Sequence, residues 1–322
     1  MTLAWTTFPL IWVGGLVTSY RAGMAVPDWP DTYGYNLFLY PPTTWFFGPW
    51  DIFIEHGHRL LGATVGMIAI ALLVALWRSD DRRWMKWLGV VALVAVIFQG
   101  VLGGLRVNLN AVDLAKMHGC FAALFFGLTA ALCVLTSRRW RETIEGSEHP
   151  QARRIHTLTI ITACLAYFQL VLGAQLRHVG PSDAPRIFQL FVAFHLLMAV
   201  VLGIHVLLLL FRVLSRHRSE SALVRPAVMM TVLLMLQLVL GPATWVTRYG
   251  WPAMFGDYNW AAHYVVPAQS FAQAGVATAH VAMGSMIFAV SVVAALRSIR
   301  LLRGPAQGVG VGFLLAGMAG EV

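Results

Sequence analysis

Charged residues are scarce in this chain, and their scarcity excludes an ordinary soluble protein. Asp, Glu, Lys and Arg make up 11% of the 322 residues, less than half of the share of about 25% that is typical of soluble domains. Apolar residues make up 58%, and several apolar runs reach the ~20 residues that a helix needs to cross a bilayer. The composition therefore predicts an integral membrane protein with little room for a soluble domain.

Cysteine is also rare, with only Cys120, Cys133 and Cys164 in the whole chain. All three fall inside predicted membrane spans, and no two have the CxxC spacing that is typical of redox or metal motifs. We expect them to be packing residues, and we expect no disulfide in the loops that face an oxidising space.

The predicted fold class is an all-α polytopic membrane protein with eight transmembrane helices in two pseudo-symmetric four-helix bundles. The first apolar run has no Lys or Arg before it and no small-residue cleavage site after it, so we expect a helix and not a signal peptide. We expect one bundle at residues 1–140, a second at 141–303, and a tail without assignment at 304–322. The predicted spans are 2–19, 58–77, 84–105, 116–136, 155–176, 188–211, 226–247 and 275–298.

The basic residues are distributed unevenly between the two sides of the membrane. Sixteen of the 23 Lys and Arg residues lie in the loops on one side and in the chain after the last span. Because cytoplasmic loops carry the excess of Lys and Arg, we expect both termini in the cytoplasm. The net charge of +9 is then explained without a nucleic-acid partner.

A short string, Q-x-V-L-G, repeats near the outer end of the odd-numbered spans. It occurs at 99–103, 169–173 and 237–241, and the first span has the degenerate form IWVGG at 11–15. One arginine follows each string at the outer boundary: Arg21, Arg106, Arg177 and Arg248. This repetition predicts a hairpin unit that the chain uses four times.

Four of the eleven histidines stand at matching depth, one in the outer part of each even-numbered span: His58, His118, His195 and His280. An ionisable side chain inside a span is costly and marks a candidate functional site. Histidines near the cytoplasmic loops are expected to be solvated or interfacial, and His205 is expected to be a hydrogen-bonded core residue. The residue four positions after each of the four is Gly or Ala, which leaves space for a flat group but is also common where membrane helices pack.

Pairs of histidines from facing helices of a bundle are typical of axial ligands to haem iron. Zinc or copper sites need three or four ligands close together, whereas these histidines are spread over four helices. We predict that His58 and His118 hold one haem and that His195 and His280 hold another, both near the outer face. The four boundary arginines could pair with haem propionates, or each could simply extend its charge to the interface at a helix end.

The two predicted sites differ in one carboxylate. Glu55 and His58 are three residues apart and share a helix face, whereas His56 is expected to point away toward the interface. No carboxylate precedes the other three histidines at that spacing. Glu55 is therefore predicted to be a catalytic proton acceptor or water-positioning group, with orientation of a ligand imidazole as the alternative. The first half is predicted to do chemistry and the second to carry electrons.

The whole chain resembles the haem A synthase family. The resemblance rests on the loop GMAVPDWPDTYGYNLFLYP at 23–41, on IEHGHRLLG at 54–62, and on the histidines of the fourth, sixth and eighth spans. It implies an oxidoreductase that converts a methyl group of haem O into a formyl group to give haem A for terminal oxidases. Many members carry a cysteine pair in the first outward loop, and its absence here argues against a thiol-based mechanism.

The resemblance also implies the residue roles and the partners. Glu55 matches the essential carboxylate, His58 and His118 match the ligands of the substrate haem O or product haem A, and His195 and His280 match the ligands of haem B. Haem O synthase and assembly factors of the terminal oxidase are the implied partners, in a lipid membrane. The electron acceptor and a homo-oligomeric state are left open.

The main alternative is a two-haem b-type membrane cytochrome that passes electrons between quinol and a partner. It would hold two haems of unchanged chemical type. A transporter with inverted repeats is less well supported, because both halves begin on the same side of the membrane.

Overall fold

The computed structural model describes residues 1–142, 146–179, 184–251 and 266–304. Nearly all of this chain is helical, as the apolar runs predict. The predicted tail at 304–322 falls, from residue 305 onward, outside the described residues, and so does His263.

The described residues form eight helices of 18 residues or more, and two short helices lie between them. The long helices are α1 (Thr2–Ser19), α3 (Trp50–Ser79), α4 (Arg83–Asn108), α5 (Val112–Leu135), α7 (Ala152–His178), α8 (Pro185–Arg216), α9 (Ser221–Tyr249) and α10 (Phe271–Leu301). The short helices are α2 (Pro42–Phe46) and α6 (Arg138–Glu142), and a 3-10 turn covers Ala22–Met24.

Seven of the eight long helices in the described chain are apolar enough to cross a membrane, which makes this a multi-pass membrane protein. The exception is α1, so the expectation of eight spans is not confirmed. The reason lies in its composition, because α1 contains four threonines and Pro9. Three of these threonines, Thr6, Thr7 and Thr18, donate their hydroxyls to backbone carbonyls three or four residues earlier, as Thr7 does to Leu3 at 2.7 Å. Because such bonds lower the cost of placing a hydroxyl in an apolar setting, the threonines alone do not exclude α1 from the membrane.

Helix α3 begins eight residues earlier than the apolar run predicts. The run was expected to start at residue 58, but the helix starts at Trp50 and contains Asp51, Glu55 and His56. Glu55 and His56 are buried there, because the loop before α2 covers this end of the helix. The early start places Glu55 and His58 on the same continuous helix.

The described helices pack around two main buried apolar clusters. One draws its buried members from residues 3 to 135, and the other draws them from residues 152 to 302. Neighbouring helices within each half pack together, and α1, α5, α7 and α10 make the contacts between the halves. At one such contact, a Cβ added to Gly127 of α5 would lie 2.6 Å from the ring of Phe288 of α10.

Two short strands join the middle of the chain to the end of α10. The strand β1 (Ser147–Glu148) pairs in parallel with β2 (Leu302–Arg303). Their register matches residue 147 with Leu302 and Glu148 with Arg303. The segment at 147–148, just before α7, is therefore paired with the residues that follow the last helix.

Candidate functional site

The four histidines predicted from the sequence come together as two pairs. The ring centroids of His58 on α3 and His118 on α5 are 6.4 Å apart, and the rings stand at 76° to each other. The centroids of His195 on α8 and His280 on α10 are 6.3 Å apart. The pairing within each half is the one that the sequence predicts.

A glycine of the preceding long helix lies against each histidine ring. A Cβ added to Gly14 would be 2.8 Å from Cε1 of His58, and one added to Gly103 would be 3.0 Å from Cε1 of His118. The same atoms would be 3.3 Å apart for Gly173 with His195 and for Gly241 with His280. At Gly14 a larger residue would push the imidazole away, and at the other three glycines it would have to be accommodated by small shifts of the ring.

The glutamine of the string fixes the backbone of the same histidine. The side-chain amides of Gln99, Gln169 and Gln237 donate to the backbone carbonyl oxygens of His118, His195 and His280 at 2.9, 3.1 and 2.8 Å. These contacts explain the Q-x-V-L-G string, whose function the sequence did not reveal. In the first repeat the ring of His58 lies against Gly14 and not against Gly15. The matching segment is therefore LIWVG at 10–14, with Leu10 in the place of the glutamine, and the expected segment at 11–15 was wrong by one residue.

The histidine side chains have nitrogens available for a ligand. Nδ1 of His118 lies 3.2 Å from the carbonyl oxygen of Gln99 and therefore donates to it, which leaves Nε2 as the basic nitrogen. Nδ1 of His280 is buried without a hydrogen-bond partner among the described residues, whereas the imidazoles of His58 and His195 face the backbone carbonyls of Leu10 and Gln169. In the second pair, the Gln169 amide also approaches Nε2 of His195 at 3.2 Å.

The distances within the pairs fit axial ligation of one iron by two imidazoles. A metal–imidazole bond is about 2.0 Å long, so two imidazoles on opposite sides of one ion have ring centroids roughly 6 Å apart. Both observed separations agree with this value. No group of three or more His, Cys, Asp or Glu able to hold a metal ion occurs in the described part of the chain, which does not favour a zinc-type site.

Glu55 lies one helical turn before His58 and is almost completely buried, with 3% of its surface exposed. Its Oε1 accepts a hydrogen bond from Nε of Arg59 at 3.1 Å. Its Oε2 has no hydrogen-bond partner among the described residues. One carboxylate oxygen is therefore fixed, and the other is available to a proton or a water.

Arg59 connects Glu55 to the loop before α2, and the sequence did not reveal this role. Its guanidinium donates to the backbone carbonyl oxygens of Val26, Asp28 and Asp31 at 2.8, 2.7 and 2.9 Å. Only 9% of the Arg59 side chain is exposed. The sequence contains one signal for this contact: Arg59 stands four residues after Glu55, and two residues at that spacing share one helix face.

The loop at 23–41, which we call the cover loop, is held in place by its own polar contacts. The Asp28 carboxylate accepts hydrogen bonds from the backbone amides of Tyr33 and Gly34 at 2.8 and 2.7 Å. Burial opposes ionisation of Asp28, but these amide bonds outweigh it and hold the pKa of the carboxyl below its usual value. Asp28 is therefore ionised at neutral pH, which keeps both amide bonds intact.

The cover loop also packs against α3 and α4. The Trp29 ring occupies the space beside Gly104, where an added Cβ would overlap the ring. His56 is 1% exposed, its Nδ1 lies 3.3 Å from the Thr32 hydroxyl, and its ring centroid is 5.2 Å from that of Tyr40. The expectation that His56 faces the interface was wrong, because the cover loop buries it.

The four boundary arginines do not have equivalent surroundings. Arg106 donates to the carbonyl oxygen of Gly23 in the cover loop at 3.0 Å. Arg177 donates to the carbonyl oxygen of Gly15 and to the Ser19 hydroxyl at 2.6 and 2.7 Å, and so joins α7 to α1. Arg21 and Arg248 are exposed.

The fold and this site define a multi-pass helical membrane protein whose transmembrane histidines form two pairs. The model of a family described as Cytochrome oxidase assembly protein (COX15-CtaA) matches residues 49–185. The chain is 26% identical over 254 residues to the Heme A synthase of Shouchella clausii, covering 73% of this chain and 81% of the relative.

Two further relatives carry the same name. The Heme A synthase of Alkalihalophilus pseudofirmus is 25% identical over 245 residues, which is 71% of this chain and 80% of the relative. That of Symbiobacterium thermophilum is 31% identical over 147 residues, which is 43% of this chain and 48% of the relative. These matches make the chain similar to proteins named Heme A synthase over about 70% of its length.

Proposed function

We propose that this chain oxidises a methyl group of haem O to a formyl group and so produces haem A. The relatives at 25–31% identity are named for haem A synthesis. The observation that carries the proposal is the carboxylate of Glu55, which is buried one helical turn before His58, with no carboxylate at the same offset before the other three histidines. Ala115, Val192 and Ala277 stand at the same offset before the other three histidines.

The two histidine pairs are proposed to divide the work. His58 and His118 hold the substrate haem O and the product haem A, because Glu55 belongs to their half. His195 and His280 hold haem B, which supplies one-electron transfer when it is bound. Oxidation of a methyl group to a formyl group with oxygen from water releases four electrons and four protons, and haem B, when bound, would pass the electrons on to an acceptor outside the chain.

The residues around the substrate site have separate tasks. Oε2 of Glu55, the oxygen without a protein partner, accepts the protons that leave the methyl carbon or positions the attacking water. Arg59 keeps Oε1 in place, so the carboxylate presents the same oxygen at each step. The cover loop, held by Arg59 and Trp29, limits the access of bulk water to this carboxylate.

We propose that the helix arrangement, the membrane topology, the boundary arginines and the protein partners also agree with this function. All eight long helices, α1 included, form two four-helix bundles at residues 1–140 and 141–303, with both termini in the cytoplasm and both histidine pairs toward the outer face of a bacterial plasma membrane. Arg106 and Arg177 lie at the depth where haem propionates need cations, and Arg21 and Arg248 are the exposed counterparts. Haem O synthase and terminal-oxidase assembly factors are the proposed protein partners.

The mass of the pigment extracted from the purified protein tests this function. We expect one population with the mass of haem B and a second with the mass of haem O, haem A or a hydroxylated intermediate. A membrane cytochrome that only transfers electrons would give haem B alone. Extraction from a protein produced in a host that makes haem O, followed by mass spectrometry, distinguishes the two, and haem B alone in both sites would contradict the proposal.

A further inference from the structure

A basic cavity that is open to the surroundings lies between α7 and α8, at the end of the molecule opposite the histidine pairs, and Arg153 and Arg154 are exposed at its edge. Its volume is about 560 Å³, and it is lined by Arg153, Arg154, Thr157 and Ile161 of α7 and by Arg212 of α8. This volume is within the range of roughly 300–1,000 Å³ that is typical of small-molecule sites. The cavity is far larger than a single hydrated ion requires.

The three arginines of this cavity have no counter-charge among the residues that the structure describes. None of their guanidinium groups forms a hydrogen bond or ion pair with another residue in the described ranges 1–142, 146–179, 184–251 and 266–304. Three cations that converge from two helices repel one another, and an anion between them would remove that repulsion. Phosphate is an anion to which the planar guanidinium of arginine donates two parallel hydrogen bonds.

The wall of the cavity that lies nearer to the middle of α7 is apolar. Leu158 and Ile161 follow Arg154 along the same helix by one and two turns, and Ile161 is 40% exposed. A ligand whose phosphate meets the arginines would therefore lie along a hydrocarbon surface further into the membrane. This combination of a phosphate and a hydrocarbon chain is the chemistry of a phospholipid.

We propose that this cavity binds an anionic phospholipid of the surrounding bilayer, with its phosphate between Arg153, Arg154 and Arg212 and an acyl chain along Leu158 and Ile161. These arginines belong to the side with the Lys and Arg excess, which is the cytoplasmic side in membrane proteins. That leaflet contains the anionic lipids, and basic pockets between helices on this side bind their headgroups. The site is independent of the haem chemistry.

Native mass spectrometry of the purified full chain tests the proposal. The protein is mixed with phosphatidylglycerol and an excess of phosphatidylcholine, and the retained lipid is counted. We expect the wild-type chain to retain one phosphatidylglycerol in preference to phosphatidylcholine. The R153Q/R154Q/R212Q variant is expected to retain it at least about tenfold less well, since each arginine near an anionic surface contributes to lipid affinity.

A charge-matched variant is the control. R83Q/R216Q/R218Q removes three arginines from the same side of the membrane that do not line the cavity, and it is expected to retain phosphatidylglycerol like the wild type. Equal loss in both triple variants would overturn the proposal, because the lipid would then respond only to general surface charge. Equal retention of both lipids by the wild type would overturn it as well.

Two further measurements test the proposal even if the triple variant does not fold. The single R212Q variant removes the one arginine contributed by α8 and is expected to weaken retention in the same direction. In the wild type, millimolar inorganic phosphate is expected not to displace the lipid, because it lacks the acyl chain. Full displacement by inorganic phosphate would show a free-anion site and overturn the lipid assignment.

Discussion

Replacing Glu55 with glutamine is expected to stop haem A formation while both histidine pairs keep their haems. Glutamine preserves the size of the side chain but cannot take up a proton at Oε2. A positioned acid or base contributes about 10²- to 10⁴-fold to a reaction rate, so the yield of haem A per bound haem should fall at least about 100-fold. Pigment extraction with mass spectrometry measures the yield, and the visible spectrum measures the haem content.

Asp51→Asn is the matched control for this experiment. Asp51 is an exposed carboxylate in the first turn of the same helix, one turn before Glu55. Its replacement is expected to leave the yield unchanged. If the Glu55→Gln protein kept its haems and made haem A at the normal rate, the proposed role of Glu55 would be wrong.

Replacing Arg59 with glutamine is expected to destabilise the protein and to release the cover loop. The change leaves a buried carboxylate without its cation and three loop carbonyls without their donor. Loss of one partner from a buried ion pair costs about 3–5 kcal/mol, which should lower the free energy of unfolding by that amount. Thermal unfolding of the purified protein and amide hydrogen exchange in residues 26–34 measure the two effects.

Two further variants separate the role of Arg59 from a general loss of charge. The double variant E55Q/R59Q removes both charges and is expected to recover part of the stability, because neighbouring changes are not additive, while haem A formation stays absent. Lys116→Gln breaks an exposed pair with Asp113 and is expected to cost less than about 1 kcal/mol. Normal exchange in the cover loop of Arg59→Gln would contradict the proposed link.

The histidine pairs could be predicted from the sequence because each histidine stands at the same depth in its own span. Helical geometry fixes depth, so a repeated position is visible along the chain. The prediction for His205 is confirmed in part, since its Nδ1 lies 2.8 Å from the carbonyl oxygen of Val201, but the residue is half-buried and does not belong to the core. Local spacing was sufficient for these residues.

The contacts that support the histidines could not be predicted in the same way. Gln99 reaches His118 and Arg59 reaches Val26 across sequence separations of 19 and 33 residues. Their partners are backbone carbonyls, which look alike at every position in a sequence. The start of α3 was also missed, because polar residues at its beginning are buried by the cover loop and an apolar run does not include them.

The most direct test of the account compares the pigments of His118→Ala and His280→Ala, because its central claim is that the two histidine pairs hold chemically different haems. We expect the His118→Ala protein to lose haem O and haem A and to keep haem B. The His280→Ala protein should lose haem B and keep haem O without converting it. If mass spectrometry found the same mixture of haems missing from both proteins, the division of the chain into a substrate half and an electron-transfer half would be wrong.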